Sequence, residues 1–151
     1  MSSKKDIFSV SKAEDSTGFL VWQMHNLWQR SIKKLLKKYN LTHTQFVLLA
    51  TTVWLNQHAK EEKITQIKIA RFARTDVMMT SNILRTLEQK KWIQRINDED
   101  DTRAKIITPT QAGIQLAQKI IPEVEAFDQQ FFGKLKDQKN FDDDLRALLD
   151  W

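Results

Sequence analysis

Cysteine is absent from all 151 residues. That excludes disulfides, thiolate zinc sites, iron–sulfur clusters and thiol nucleophiles or redox sensors, and it suits a reducing, cytoplasmic setting. Three glycines and two prolines are too few for a fold built on hairpins and tight turns, so the chain should be mainly helical. No apolar run approaches the ~20 residues of a membrane span, and the opening MSSKKDIFSVSKAEDSTGF has only broken apolar content after its two lysines, unlike a signal peptide. No membrane partner is expected. There is no Gly-rich phosphate loop and no Gly-x-Ser-x-Gly, so neither an enzyme nor a cofactor protein is expected. His25, His43 and His58 lack ligand spacing, and Asp98, Asp100 and Asp101 lack the glycine and distal glutamate of a calcium loop; no metal is expected.

What is present is charge, unevenly spread around a formal net of +5. Lys63 to Lys105 holds ten Lys/Arg against six Asp/Glu, whereas Glu123 to Trp151 holds four against eight. A basic middle and an acidic end point to a polyanion-facing part and a part facing elsewhere. One run opposes this pattern: four consecutive acids, Asp98 to Asp101, lie between Arg95 and Arg103.

Apolar residues recur with helical period from Phe19 to Tyr39, through Leu20, Met24, Leu27, Trp28, Ile32, Leu35 and Leu36. Asn40 should break this first helix. Thr42 with Gln45 forms a capping-box pattern opening a second, which ends near Asn56 to Ala59. Thr65 can cap a short third helix, and Thr75 or Asp76 a fourth reaching about Lys91. After Trp92 the β-branched content changes to that of two short strands joined by the acidic run. A hairpin after two short helices joined by a tight connection is a winged helix-turn-helix pattern. Thr110 then opens a fifth helix through Ile114, Ala117, Ile120, Ile121, Val124, Phe127, Phe131 and Leu135, bent at Pro122. Phe141, Leu145, Leu148 and Leu149 mark a sixth, expected to close over the others. Long terminal helices have too little core for their apolar stripes within 151 residues, which makes a helical homodimer economical.

Five successive segments, Thr65-Gln-Ile-Lys-Ile-Ala70, Ser81 to Glu88, Trp92-Ile-Gln-Arg95, Asp101-Thr-Arg103 and Thr110-Gln-Ala-Gly113, resemble the signatures of MarR-family winged-helix transcriptional regulators, and the resemblance runs from about Phe19 to Leu149. It implies a mainly α fold with a small β-wing, a DNA-binding lobe at about 42–109, and dimerisation helices at about 16–41 and 110–151. It also implies a dimeric repressor or activator, with effectors bound between lobe and dimerisation region. Two positions depart from the family pattern: Lys91 stands where glycine is common, and Pro109 where leucine is common.

On the fourth helix Thr80, Ile83, Leu84 and Leu87 should face the core, leaving Met78, Ser81, Asn82 and Arg85 on the other side with the chemistry to contact bases. Thr65, Gln66, Lys68, Arg71, Arg74 and Arg95 are candidates for phosphate contact. The resemblance gives Asp101 a wing-shaping role and sends Arg103 toward the minor groove. Trp22, His25, Trp28 and Trp54 are the aromatic material nearest the expected cleft, for a small aromatic or amphiphilic effector. The expected function is sequence-specific binding of double-stranded DNA by a homodimer at a pseudo-palindromic operator, as a repressor. The alternatives are a winged-helix protein-interaction module and a low-specificity architectural DNA binder.

Overall fold

The computed structural model of the chain describes residues 6–59 and 62–151; Lys4 and Lys5, used above to read the amino terminus, lie outside them. Helix α1 (Thr17–Leu36) opens on the Ser16 hydroxyl, passes into a 3-10 turn at Lys37–Tyr39 and stops at Asn40, whose φ of 54° places it in the left-handed region. Asparagine tolerates that conformation better than most residues. Helix α2 (His43–His58) carries the full capping box, with Gln45 N–H on Thr42 Oγ1 and Thr42 N–H on Gln45 Oε1, both at 3.1 Å. It buries Phe46, Leu48, Leu49, Thr52, Val53 and Leu55, so it is the central element rather than a one-sided one. The buried Thr52 hydroxyl is satisfied by Leu48 O at 2.7 Å.

Helices α3 (Gln66–Ala73) and α4 (Val77–Gln89) pack on α2, and strands β1 (Ile93–Asn97) and β2 (Lys105–Pro109) form the antiparallel hairpin, in register from Ile93↔Pro109 to Asn97↔Lys105. Pro109 lies two residues after Ile107, whose N–H points away from β1, so the N–H that proline lacks would not have bonded β1. The free side of β2 gains a further partner that no local sequence pattern marks: Ile107 N–H donates to Ile64 O at 2.8 Å and Thr65 bridges Ile106. Ile32, Leu36, Leu48, Leu49, Ile69, Leu84, Leu87, Ile93, Ile107 and Ile120 form one continuous core that every one of α1 to α5 and both strands enters. Each such side chain contributes ~1.5–3 kcal/mol on burial.

Helix α5 (Gln111–Phe132) contains Pro122 without ending there. The proline is exposed, so water can serve the carbonyl it leaves unpaired. Helix α6 (Gln138–Leu148) forms as expected but does not close over the fold; none of its residues is buried. Its contacts lie at its two ends: the half-buried Phe141 ring packs 6.2 Å from Phe132 of α5, and past the other end Leu149 O accepts from the Arg74 guanidinium while the Trp151 ring meets Phe72 edge-on at 5.6 Å. Eleven residues with Asp142, Asp143 and Asp144 in the middle have too narrow an apolar strip to be buried along the helix.

Candidate nucleic-acid interface

The turn between α3 and α4 is built by local hydrogen bonds. Arg74 takes the left-handed conformation (φ 53°) and ends α3, and Thr75 N–H bonds Ala70 O at 2.9 Å. Asp76, not Thr75, caps α4, accepting from Met79 N–H at 2.8 Å. The hydroxyls of Thr75 and Thr80 meet at 2.7 Å, and Thr80 also donates to Asp76 O. These bonds fix how α4 leaves the turn and which face it turns out. Thr80, Leu84 and Leu87 are buried beneath it, while Met78 (77% exposed), Asn82 and Arg85 stand outward and Ser81 lies at the margin, half-buried.

At the far end of α4, Trp92 N–H reaches back to Leu87 O and Lys91 takes φ 63°. A lysine thus adopts the backbone conformation for which glycine is usual. Thr110 locks this corner: its hydroxyl donates to Lys91 O at 2.7 Å and its N–H to Trp92 O at 3.0 Å. Gly113, one turn into α5, lies so close that a Cβ there would sit 2.0 Å from Trp92 O.

The acidic run at the hairpin tip is not simply solvated. Asp98 is buried (9% exposed) and takes Lys63 Nζ at 2.7 Å, and the same ammonium reaches Asp100 at 2.5 Å. Those hydrogen bonds, together with the Asp100 N–H on Asp98, hold the Asp98 carboxyl below the usual carboxylate range. Asp101 Oδ1 accepts the backbone N–H of Arg103 at 3.0 Å, turning the chain so that the Arg103 side chain is exposed. The Asp101–Arg103 relation is therefore a backbone turn rather than a side-chain ion pair.

Among the expected phosphate contacts, Arg71 is exposed on α3. Thr65 uses its hydroxyl to cap α3, Lys68 pairs with Glu62, and Arg74 is engaged by Leu149 O. Gln66 is half-buried, its Oε1 without a partner among the described residues. Arg95 needs correction: its side chain is only 11% exposed, with Nη1 4.0 Å from Glu88 Oε1. Strand alternation explains it, because Arg95 shares the inward face of β1 with the buried Ile93.

The four proposed ligand residues do not share one space. Trp28 Nε1 donates to Asp128 at 2.8 Å and packs with His43, His25 and Phe132. Burial, and secondly the neighbouring His25, lower the pKa of His43, with Asp128 opposing. Trp54 stacks on His58 at 3.8 Å and lines a separate cleft of about 330 Å³ between α2, α3 and α5, with Phe46, Phe72 and Val124. Trp22 stands 65% exposed on the outer side of α1.

Two short helices meeting at a left-handed arginine, with a hairpin pinned beside the second, define a winged helix-turn-helix protein. Residues 41–105 match the model of the MarR family. Over 134 residues the chain is 40% identical to the uncharacterized HTH-type transcriptional regulator YdcH of Bacillus subtilis (strain 168), covering 89% of this chain and 90% of that one. The chain belongs to the MarR family of transcriptional regulators. Among solved structures, the S. aureus MepR–DNA complex superimposes with a TM-score of 0.76 at 25% identity, over 92% of this chain and 98% of MepR. Bordetella bronchiseptica BpsR, whose DNA binding is regulated by 6-hydroxynicotinic acid, shares the fold with a TM-score of 0.80 at 19% identity, over 94% and 99%.

Proposed function

We propose that this chain is a cytoplasmic, non-enzymatic, homodimeric repressor that reads a pseudo-palindromic operator in double-stranded DNA. The observation that carries this reading is the capped helix α4, whose buried Thr80, Leu84 and Leu87 turn Met78, Asn82 and Arg85 outward. Arginine pairs bidentately with guanine and asparagine with adenine in the major groove, and methionine suits a thymine methyl. Ser81 adds a contact at the margin of that face, Arg103 reaches the minor groove from the wing, and Arg71 meets phosphate. MepR, of the same fold, has been captured on DNA. In the dimer the two α4 helices enter successive major grooves about 34 Å apart.

Dimerisation is supported by the apolar residues left uncovered on α1, among them Phe19, Leu20, Val21 and Leu27, and by Leu148 of α6. Contiguous exposed apolar surface of this kind marks an interface. No helix among the described residues is long and apolar enough to cross a membrane. An aromatic or amphiphilic effector fits the Trp54 cleft, which lies where α5 meets the DNA-binding lobe. A thermal-shift panel of aromatic acids and cationic amphiphiles tests that part.

The central test is Arg85→Ala, measured on a selected operator and on random duplex. Operator affinity should fall by about 1–3 kcal/mol more than random-duplex affinity. Equal losses reduce Arg85 to a phosphate contact, and a flat output from oligonucleotide selection with the wild-type protein makes the chain an architectural binder.

A further inference from the structure

The groove between the outer face of α1 and the start of α2 has no role in the DNA reading, yet five basic side chains line it. Its volume is about 540 Å³, and Arg30, Lys33 and Lys34 from α1, Lys37 from the 3-10 turn that follows it and Lys90 from the end of α4 line it. No carboxylate is among its lining residues. The other side of α1 differs: there Lys38 pairs with Glu123 at 2.7 Å. Arg30, Lys33, Lys34 and Lys37, by contrast, have no ion-pair partner among the described residues.

This spacing is unfavourable for the helix itself. Arg30 with Lys34, and Lys33 with Lys37, are like charges one turn apart, which destabilise a helix in the absence of a counter-ion. Lys90 is held at the rim rather than loose, its Nζ donating to Asn40 O at 2.7 Å and lying 5.1 Å from the centre of the Trp92 ring. Thr42 and Gln45, the first turn of α2, form the opposite wall, at the positive end of that helix. None of Met78, Ser81, Asn82, Arg85 or Arg103 lines the groove.

We propose that this groove is a binding site for a compact polyphosphate anion, distinct from the surface that reads DNA. A volume of about 540 Å³ is in the range of small-ligand sites, and multiple cations without a carboxylate select for multiple negative charges on one ligand. The concave shape and its separation from the α4 face favour a small anion over a duplex. Lysine ammonium groups suit phosphate as point charges.

The test titrates the full chain with sodium tripolyphosphate by calorimetry at low salt. Three proteins are compared with wild type: Lys33→Gln/Lys34→Gln/Lys37→Gln, the charge-preserving Lys33→Arg/Lys34→Arg/Lys37→Arg, and a control, Lys119→Gln/Lys134→Gln/Lys136→Gln, which removes the same charge from exposed positions elsewhere. The groove glutamine variant should lose at least about tenfold in affinity, while the arginine variant and the control stay within about twofold of wild type. Matching titrations for the groove and control glutamine variants overturn the proposal. If, in addition, the salt slope of random-duplex binding falls by about 2.7 in the groove variant alone, the groove belongs to the DNA backbone instead. The tripolyphosphate measurement needs no DNA, so it stands or falls separately from the operator reading.

Discussion

Replacing Gly113 with alanine should damage the fold although Gly113 lies in a helix, where alanine is the better residue. The built Cβ would sit 2.0 Å from Trp92 O, 2.9 Å from its carbonyl carbon and 3.2 Å from its Cα, all backbone atoms that cannot rotate away. Relief requires α5 to move off the end of α4. Overpacking of this kind costs up to ~3 kcal/mol. The Thr110 N–H bond to Trp92 O lies in the same contact, and its loss adds ~1 kcal/mol. Against this, alanine gains ~1 kcal/mol over glycine in a helix. The net loss is ~3 kcal/mol, which in a chain of this size lowers Tm by roughly 6–12 °C. Urea denaturation followed by tryptophan fluorescence, at one fixed protein concentration because dimerisation shifts apparent stability, measures it. Gly18→Ala in α1 is the matched control, since nothing lies within 4 Å of its Cβ, and it should hold or gain stability by up to ~1 kcal/mol. Equal stability for the two alanine variants would refute the contact argument.

At Lys91, with φ 63°, glycine removes a left-handed penalty of ~1–2 kcal/mol and adds ~0.5–1 kcal/mol of chain entropy cost, so Lys91→Gly should stabilise by ~0.5–1 kcal/mol in the same assay. Asp98→Asn weakens the Lys63 tie, and amide exchange across 98–104 should accelerate while that of α2 is unchanged; uniform rates would mean that the tip is held by other bonds. Glu99→Gln, at an exposed tip acid, should tighten random-duplex binding if the tip faces DNA, and leave it unchanged if the tip points away. Because the folded His43 has a lowered pKa, its contribution to stability is intact above the ordinary value of about 6.5 and is lost as pH falls through the lower folded value. Urea midpoints at pH 8, 6.5 and 5 should therefore drop toward acid more steeply in wild type than in His43→Gln.

Features governed by near neighbours were legible in the residues. The capping box at Thr42 and Gln45, the caps at Thr65 and Thr110, the break at Asn40 and the two faces of α4 all rest on side chains within one helical turn of the backbone they serve. Arg95 obeys an equally local rule, since two-residue alternation from a buried Ile93 turns it inward, against the phosphate contact that its charge suggests. The Lys63–Asp98 pair spans 35 positions, and the Ile64 contact with Ile107 spans 43, separations at which no local pattern operates. The aromatic cluster failed for a different reason. Helical spacing put Trp22 and Trp28 on one helix, but it does not say which face of α1 meets α5, and Trp28 alone found Asp128. Helix α6 shows amphipathic pattern without burial, since its three central aspartates leave only a narrow apolar strip.

The hairpin is fastened to the segment just before α3, where Lys63 holds Asp98 and Asp100 and Ile64 holds Ile107, and to α2, where Asn56 Nδ2 donates to Ile107 O at 3.1 Å. The span from the outward face of α4 to the hairpin tip is therefore a fixed length, not a hinge. On a duplex, a gauge of fixed length registers only where the distance between neighbouring grooves matches it, and that distance changes with local twist. Supercoiling, which alters twist without altering a single base, would then tune how well the same operator fits.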